Sequence, residues 1–397
     1  MRLIAKFGGT SLATGARIEL AADAIIQAIE DGHEVAVVVS AMGSMTDELL
    51  EYLTFDTGDA DTADVLGMGE RTSARLVAAA LRSRGVDATV IEPGVDQWPI
   101  VVDRDDQIQL EETTERSSAL QSLLHETVPV ITGFLAEDAN GVQRTLGRGG
   151  SDTTAMVLGN TLDTDRVVIV TDVEGVLTGN PDIIESTHNV GEISVGELSE
   201  LSFRGAEVIA PEAIAHKVDE VDVEIVHYQT GDLLTSGTHV EGAFETIVSA
   251  SEAPLSCLTV AGREIRRVPG ILGQITTAVA ADGITIDAIS SGIDSVSLYL
   301  ATDDAPTAKQ RVHDVILEEV HLSSITLEDD LAAIRVVMGS VYDQPGVIDR
   351  IVSPLASANI NIHELTTSAT SITVFVRESE RETALETVQQ AMNALHE

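Results

Sequence analysis

The chain has 397 residues, 44% of them hydrophobic, and its 65 acidic residues against 23 basic ones give a formal net charge of −42. That length implies two or three domains, and that charge excludes a general surface for nucleic acid or anionic membranes. The single cysteine, Cys257, excludes internal disulfides and thiolate metal clusters, and the ten histidines lack zinc-ligand spacing, so no metal-ligating residue is expected. Acidic residues run the whole length and lysine is reduced to Lys6, Lys217 and Lys309, which suggests a solvated, salt-tolerant surface of the kind found in halophiles. An acidic interaction surface is the alternative. No apolar run is long enough for a membrane span, and the N-terminus enters a strand without a signal-peptide core, so a cytoplasmic protein is expected.

In chain order, residues 2–7 alternate apolar and polar side chains and run into Gly8-Gly9-Thr10-Ser11. The pattern predicts a short strand stopping in a turn that only glycine makes easily. Paired glycines let backbone N–H groups approach a ligand, and Lys6 adds a point ammonium charge beside them, which suits a phosphate. A tight βα turn with no ligand reads the same way. Residues 17–31 form the first helix, with Ile18, Ala21, Ala22, Ile25 and Ile29 at helical spacing and Gly32 as its C-terminal cap. Residues 34–40 are a near-continuous apolar run, the mark of a strand buried on both faces. The polar, acidic segment 54–64 reads as a loop. Strands at 86–91, 128–134, 166–173 and 221–226 alternate with helices, which predicts a mostly parallel sheet covered by helices.

Near residues 249–254 the character changes, and the rest of the chain repeats at an offset of 76 residues. Pro269-Gly270 recurs as Pro345-Gly346, Ile284-Thr285-Ile286 as Ile360-Asn361-Ile362, and Val296/Leu298 as Ile372/Val374. Each copy reads as a βαββαβ-type unit, beginning near Leu255 and Asp329. The expected division is therefore 1–252, 255–328 and 329–397.

The strongest internal motif is Gly147-Arg148-Gly149-Gly150-Ser151-Asp152-Thr153-Thr154-Ala155, after one strand and before an apolar helix. With Ser151 as N-cap, free N–H groups and the helix dipole would favour an anion, and Arg148 adds a fork suited to a carboxylate. A capped turn without a ligand is the alternative. Walker-type, dinucleotide and protein-kinase motifs are absent: no lysine follows a glycine, Gly67-Met-Gly69 lacks a third glycine, and no His-Arg-Asp triplet occurs.

Lys6-Phe7-Gly8-Gly9-Thr10-Ser11, Gly69-Glu70-Arg71-Thr72-Ser73, Gly147 to Asp152 and Thr171-Asp172-Val173-Glu174-Gly175-Val176 together resemble the signatures of the amino-acid kinase family, in the same order. Within it the chain is similar to the aspartate kinases, whose C-terminal region carries two ACT domains. The resemblance implies an α/β amino-acid kinase fold, an open and mostly parallel sheet between helices, followed by two α+β ferredoxin-like ACT domains. It implies ATP-dependent conversion of L-aspartate to 4-phospho-L-aspartate, the entry to lysine, threonine and methionine synthesis, with Mg²⁺ carried on ATP. Carried over by position, Lys6 and Asp152 would be catalytic, and Ser40, Thr46, Glu70, Arg148 and Ser151 would bind aspartate. Glu70 would receive its ammonium and Arg148 its α-carboxylate. Phe7, Gly8, Gly9, Thr10, Thr171 and Asp172 would join Lys6 in holding the nucleotide. Asp287, Asn359 and Asn361 would lie where effectors bind, in a homodimer or larger assembly formed through the ACT units; ordinary turn residues are the alternative there.

Four positions depart from the family pattern. Asp182 stands where an arginine is usual, Glu207 where a lysine is usual, Leu177 replaces a tyrosine, and Arg267 lies near an acidic effector contact of some relatives. Competing readings are a kinase of another small acid, such as glutamate or N-acetylglutamate, and a catalytically weakened amino-acid sensor.

Overall fold

The structure, a computed structural model, describes residues 1–206, 208–244, 246–263, 265–338 and 346–393, apart from the side chain of Arg266. Glu207 and Pro345 of the repeated Pro-Gly pair lie outside the described residues. The chain divides into two compact units, Met1–Phe244 and Glu245–Glu397.

The first unit opens with β1 (Arg2–Phe7), α1 (Gly15–Glu30), β2 (Glu34–Val39), α2 (Met45–Tyr52), α3 (Asp59–Leu66), α4 (Met68–Ser83) and β3 (Ala88–Ile91). A short β4 (Val101–Val102), α5 (Leu110–Leu123), β5 (Val128–Thr132), β6 (Leu135–Asp138) and β7 (Gln143–Thr145) follow. The unit closes with α6 (Gly150–Thr161), β8 (Arg166–Thr171), β9 (Glu192–Ser194), α7 (Val195–Phe203), α8 (Pro211–Ile214), β10 (Asp222–His227) and β11 (Thr238–Glu241). Eight strands share one sheet in the order β3-β5-β2-β1-β8-β10-β11-β9, with β10–β11 the one antiparallel pair. Strand β2 is apolar after Glu34 because both its faces are covered. Val35, Val37 and Val39 pack with α1 and α4, whereas Ala36 and Val38 join the opposite core with α5 and α6.

Helix α1 begins where Thr14 accepts a hydrogen bond from the Arg17 N–H, and the chain leaves it through Gly32 at φ 86°. The segment expected as a loop at 54–64 is a loop only in its first part. From Asp59 it is helix α3, because Asp59 and Asp61 sit in the first turn, where the helix dipole favours negative charge, and Ala63 and Leu66 are buried beneath.

The second unit carries β12 (Ile247–Ala250), β13 (Leu255–Gly262), α9 (Ile271–Ala280), β14 (Ala288–Ser291), β15 (Ser295–Ala301), α10 (Ala305–Glu318) and β16 (Leu322–Val337). It ends with α11 (Val347–Ser357), β17 (Glu364–Thr367), β18 (Ser371–Arg377) and α12 (Arg381–Asn393). An offset of 76 residues carries β14 onto β17, β15 onto β18 and the start of α9 onto that of α11. Tyr299 and Phe375, related by the same offset, stack with centroids 3.7 Å apart at the centre of the shared sheet. The Ile-x-Ile segments lie outside the strands, which begin after them at Ala288 and Glu364.

Strand β16 serves both repeats. Its first half pairs with β13 and its second half with β18 and with β12. Residues 247–250, ahead of the expected boundary at 252, are thus a strand of the second unit.

Candidate active site

Strands β1, β2 and β8 run parallel in a register that aligns Phe7 with Val39 and Val170, so their C-terminal ends open on one edge of the sheet. Open α/β sheets bind ligands at that edge. Lys6 reaches it 8% exposed, and its Nζ lies 2.5 Å from Oδ1 of Asp152 in the first turn of α6. Oδ1 has no other partner among the described residues, and Oδ2 accepts the Ala210 N–H at 3.4 Å.

The glycine turn after β1 is required for a different reason from the one its sequence suggests. Gly9 has ordinary right-handed angles, φ −58° and ψ −40°. A Cβ there would stand 2.5 Å from the Ala41 carbonyl oxygen, so glycine lets the loop after β2 close over the turn, where the Gly43 N–H donates to the Gly9 oxygen. The Gly8 N–H is committed to the Val170 carbonyl, while those of Gly9 and Thr10 meet no acceptor among the described residues. The two N–H groups lie at the start of a helical turn, as in an anion site.

Glu70 is buried, 3% exposed, in the first turn of α4. Its Oε1 accepts the Ala41 N–H at 3.1 Å, and its Oε2 has no partner among the described residues. Burial pushes its carboxyl up to about 7, against the backbone N–H groups that stabilise the charged form. A buried acceptor with an unfilled oxygen is suited to an incoming ammonium. Ser40 is half-buried at the end of β2, its N–H on the Phe7 carbonyl, and Thr46 is half-buried in the first turn of α2.

At the second motif, Ser151 is not the N-cap: α6 starts at Gly150, and Gly149 holds the cap position at φ 73°. That left-handed conformation suits glycine, and a Cβ on Gly149 would also fall 1.9 Å from Cβ of Ala210. Ser151 instead lies inside the first helical turn, buried against Gly133, whose own Cβ would meet Ser151 Oγ at 2.6 Å. Arg148 stands exposed between the left-handed glycines Gly147 and Gly149.

The residues expected on the nucleotide side are more open. Thr171 is half-buried at the end of β8 and donates to Oδ1 of exposed Asp172 at 3.4 Å. Asp182 is exposed in a turn in which its N–H donates to Asn180 Oδ1, and Leu177 bridges to Asn189. Arg204 is exposed, 3.6 Å from Glu200. Of the expected effector residues, Asp287 and Asn361 are exposed and Asn359 adopts φ 59°. Its repeat counterpart is Gly283 at φ 74°, so the turn alone accounts for an asparagine there. The N–H groups that Ala41 and Ala210 donate to Glu70 and Asp152 had no signal in the sequence, since any residue but proline supplies that donor.

The described residues hold no group of three or more histidine, cysteine or carboxylate ligands able to cage a metal. What they offer a cation is Asp152, buried with Oδ1 paired only to Lys6, which fits a Mg²⁺ delivered on nucleotide phosphates rather than a resident ion. No helix of the described residues is long and apolar enough to cross a membrane.

A family model described as "Amino acid kinase family" matches residues 1–227, and ACT-domain models match residues 258–316 and 326–397. The chain belongs to the amino acid kinase family. It is 30% identical over 417 residues to an aspartokinase of Mycolicibacterium smegmatis, a match spanning 100% of this chain and 95% of that protein. Its fold is that of the Synechocystis aspartate kinase crystal structure, with a TM-score of 0.80 at 23% identity over 99% of this chain and 69% of that one. Escherichia coli aspartokinase III in complex with aspartate and ADP aligns with a TM-score of 0.55 at 22% identity over 98% and 99%.

Proposed function

We infer that this chain is an ATP-dependent aspartate kinase, transferring the γ-phosphoryl group of ATP to the β-carboxylate of L-aspartate. The observation that carries the reading is the full-length match to a curated aspartokinase. The buried constellation of Lys6, Asp152 and Glu70 supports it independently.

The acceptor carboxylate has a reference pKa of about 3.9 and is already ionised, so no general base is needed. Its oxygen bonds to the γ-phosphorus as the bond to the β,γ-bridging oxygen breaks and ADP leaves. What remains is positioning and neutralisation of charge. Lys6, released from Asp152, supplies an ammonium to the phosphoryl oxygens, and the Gly9 and Thr10 N–H groups donate beside it. Asp152 would hold the Mg²⁺, which supplies neutralising charge on the triphosphate when bound. Glu70 takes the substrate ammonium at its unfilled oxygen, Arg148 the α-carboxylate, and Ser40, Thr46 and Ser151 line the acceptor. Phe7, Gly8, Thr171 and Asp172 complete the nucleotide pocket. The reading places the enzyme in the cytoplasm, the compartment that supplies ATP. The proposed domains are a catalytic segment that ends by Phe244, short of the expected 252, and ACT units 255–328 and 329–397, whose shared sheet takes in β12. Two or more copies assemble through the ACT units, and lysine or threonine binds near Asp287, Asn359 and Asn361.

A coupled assay of ADP release across aspartate, glutamate and N-acetylglutamate tests the reaction, and turnover with aspartate alone is expected. Turnover confined to one of the other acids would reassign the substrate, and effector binding without any turnover would leave a sensor. Ending the chain at Phe244 is expected to abolish inhibition by the effector, and persistence of inhibition would place that site in the first unit.

A further inference from the structure

The glycine turn is braced by a residue that the transfer chemistry does not use. Arg17 lies in the first turn of α1, and a terminal guanidinium nitrogen donates to the Thr10 carbonyl. The same guanidinium stacks over the Tyr228 ring, 4.5 Å from its centroid. Tyr228 opens the turn after β10, where His227 packs 4.7 Å from it and Thr230 Oγ donates to the His227 carbonyl. Phe7, Ser11 and Val170 line the same cleft, so it backs directly onto the ends of β1 and β8.

The geometry points to Arg17 as a positioning residue for the phosphoryl-binding turn: clamped on Tyr228, its guanidinium holds the Thr10 carbonyl away from the anion and keeps the Gly9 and Thr10 N–H groups presented to it. This rests on the kinase reading of that site. Thr10 is exposed, and among the described residues its carbonyl otherwise accepts only the Ala13 N–H at 3.3 Å, a weak closure for a three-residue helical turn. A charge-assisted bond to that carbonyl is the stronger restraint, and the aromatic face fixes the guanidinium in place. Lysine would keep the charge but lose the planar stack and the directed fork.

The test uses the full chain at constant KCl with the variants Arg17→Gln, Arg17→Lys and Tyr228→Leu. Arg17→Gln is expected to raise the KM for MgATP about tenfold, the loss of one hydrogen bond to a charged group, while the KM for aspartate stays within about twofold. Arg17→Lys should recover part of that loss, and Tyr228→Leu should move the same constant in the same direction by less. A second readout needs no turnover: hydrogen exchange of the amides of residues 9–13 in the free protein should accelerate in Arg17→Gln. Unchanged exchange together with an unchanged KM for MgATP overturns the inference. So does an equal rise in both KM values with a lowered melting temperature, which marks a general structural role. Absence of aspartate-dependent turnover in the wild type counts against the kinase reading instead, and exchange then judges the clamp by itself.

Discussion

The proposed transfer centre has two differently built sides, a buried core and an exposed rim. In the core Lys6, Glu70, Ser151 and Asp152 are all buried, each at a strand end or in a first helical turn. On the rim Arg148, Asp172, Asp182 and Arg204 are exposed. Buried charges interact strongly and tolerate little change, whereas exposed ones are screened by solvent and salt. On the proposed reading Asp182 stands on the exposed rim, whereas Lys6 and Asp152 stand in the buried core. The substitution falls where a reversed charge costs least.

Substitutions on the two sides should therefore differ in size. Lys6→Ala removes the buried ammonium, and kcat is expected to fall roughly 10²–10³-fold with the fold intact by circular dichroism, as loss of one preorganised donor does. Near wild-type turnover in that variant would remove Lys6 from the mechanism.

Glu70 comes next. Its carboxyl is pushed up to about 7 by burial, and the substrate ammonium needs it ionised. Aspartate binding then drives a proton off below that value, so the KM for aspartate should rise as pH falls from about 8 to about 6. Glu70→Gln should raise that KM by about 10–100-fold and flatten the profile, the scale of a hydrogen bond to a charged group. Stability moves in the opposite direction. The folded state holds this proton between the ordinary carboxylate range and about 7, so the stability it contributes is present at low pH and lost as pH rises through that window. Thermal melts should show Glu70→Gln gaining on the wild type at high pH and not at low pH. A pH-independent KM with an unaltered melting difference would place Glu70 outside the acceptor site.

Salt gives a smaller and more diffuse effect. With a net charge of −42, the chain repels both anionic substrates and itself in dilute buffer. At molar KCl the Debye length is about 3 Å, which leaves only the local cations in play, so activity and melting temperature should rise from dilute to molar KCl. Maximal activity in dilute buffer would contradict this. The smallest effect belongs to Asp182→Arg, which should tighten MgATP binding a few-fold at low salt and have almost no effect at molar KCl, where exposed charges are screened. Calorimetry at the two salt concentrations measures it. An undiminished gain at molar KCl would mean that Asp182 lies against the phosphates in a shielded site.

The contrast between buried and exposed also separates what the sequence made legible from what it did not. Strand β2 was readable because burial on both faces leaves a near-continuous apolar run, β1 because its alternating side chains run into a glycine turn, and the repeat because each copy obeys the same packing at the same spacing. Lys6 and Asp152 were visible as motif residues, yet their ion pair depends on α6 meeting β1 across the sheet, which no local pattern encodes. Gly9 looked like a conformational requirement and is instead a spacing requirement set by Ala41, thirty-two positions away in the chain. Ser151 looked like a cap because serine favours that position; Gly149 takes it because Ala210 leaves no room for a side chain. Helix α3 was hidden in acidic residues that read as a loop, and β12 was hidden because its partner lies far along the chain in β16.

The central claim is that an intact buried core performs the transfer despite Asp182 on the exposed rim. Trapping with hydroxylamine tests it most directly, since an acyl phosphate is converted to a hydroxamate that a ferric assay detects. With MgATP and aspartate at molar KCl, the wild type should yield aspartyl hydroxamate matched by ADP, and Lys6→Ala should yield almost none. No hydroxamate from the folded wild type would contradict the account.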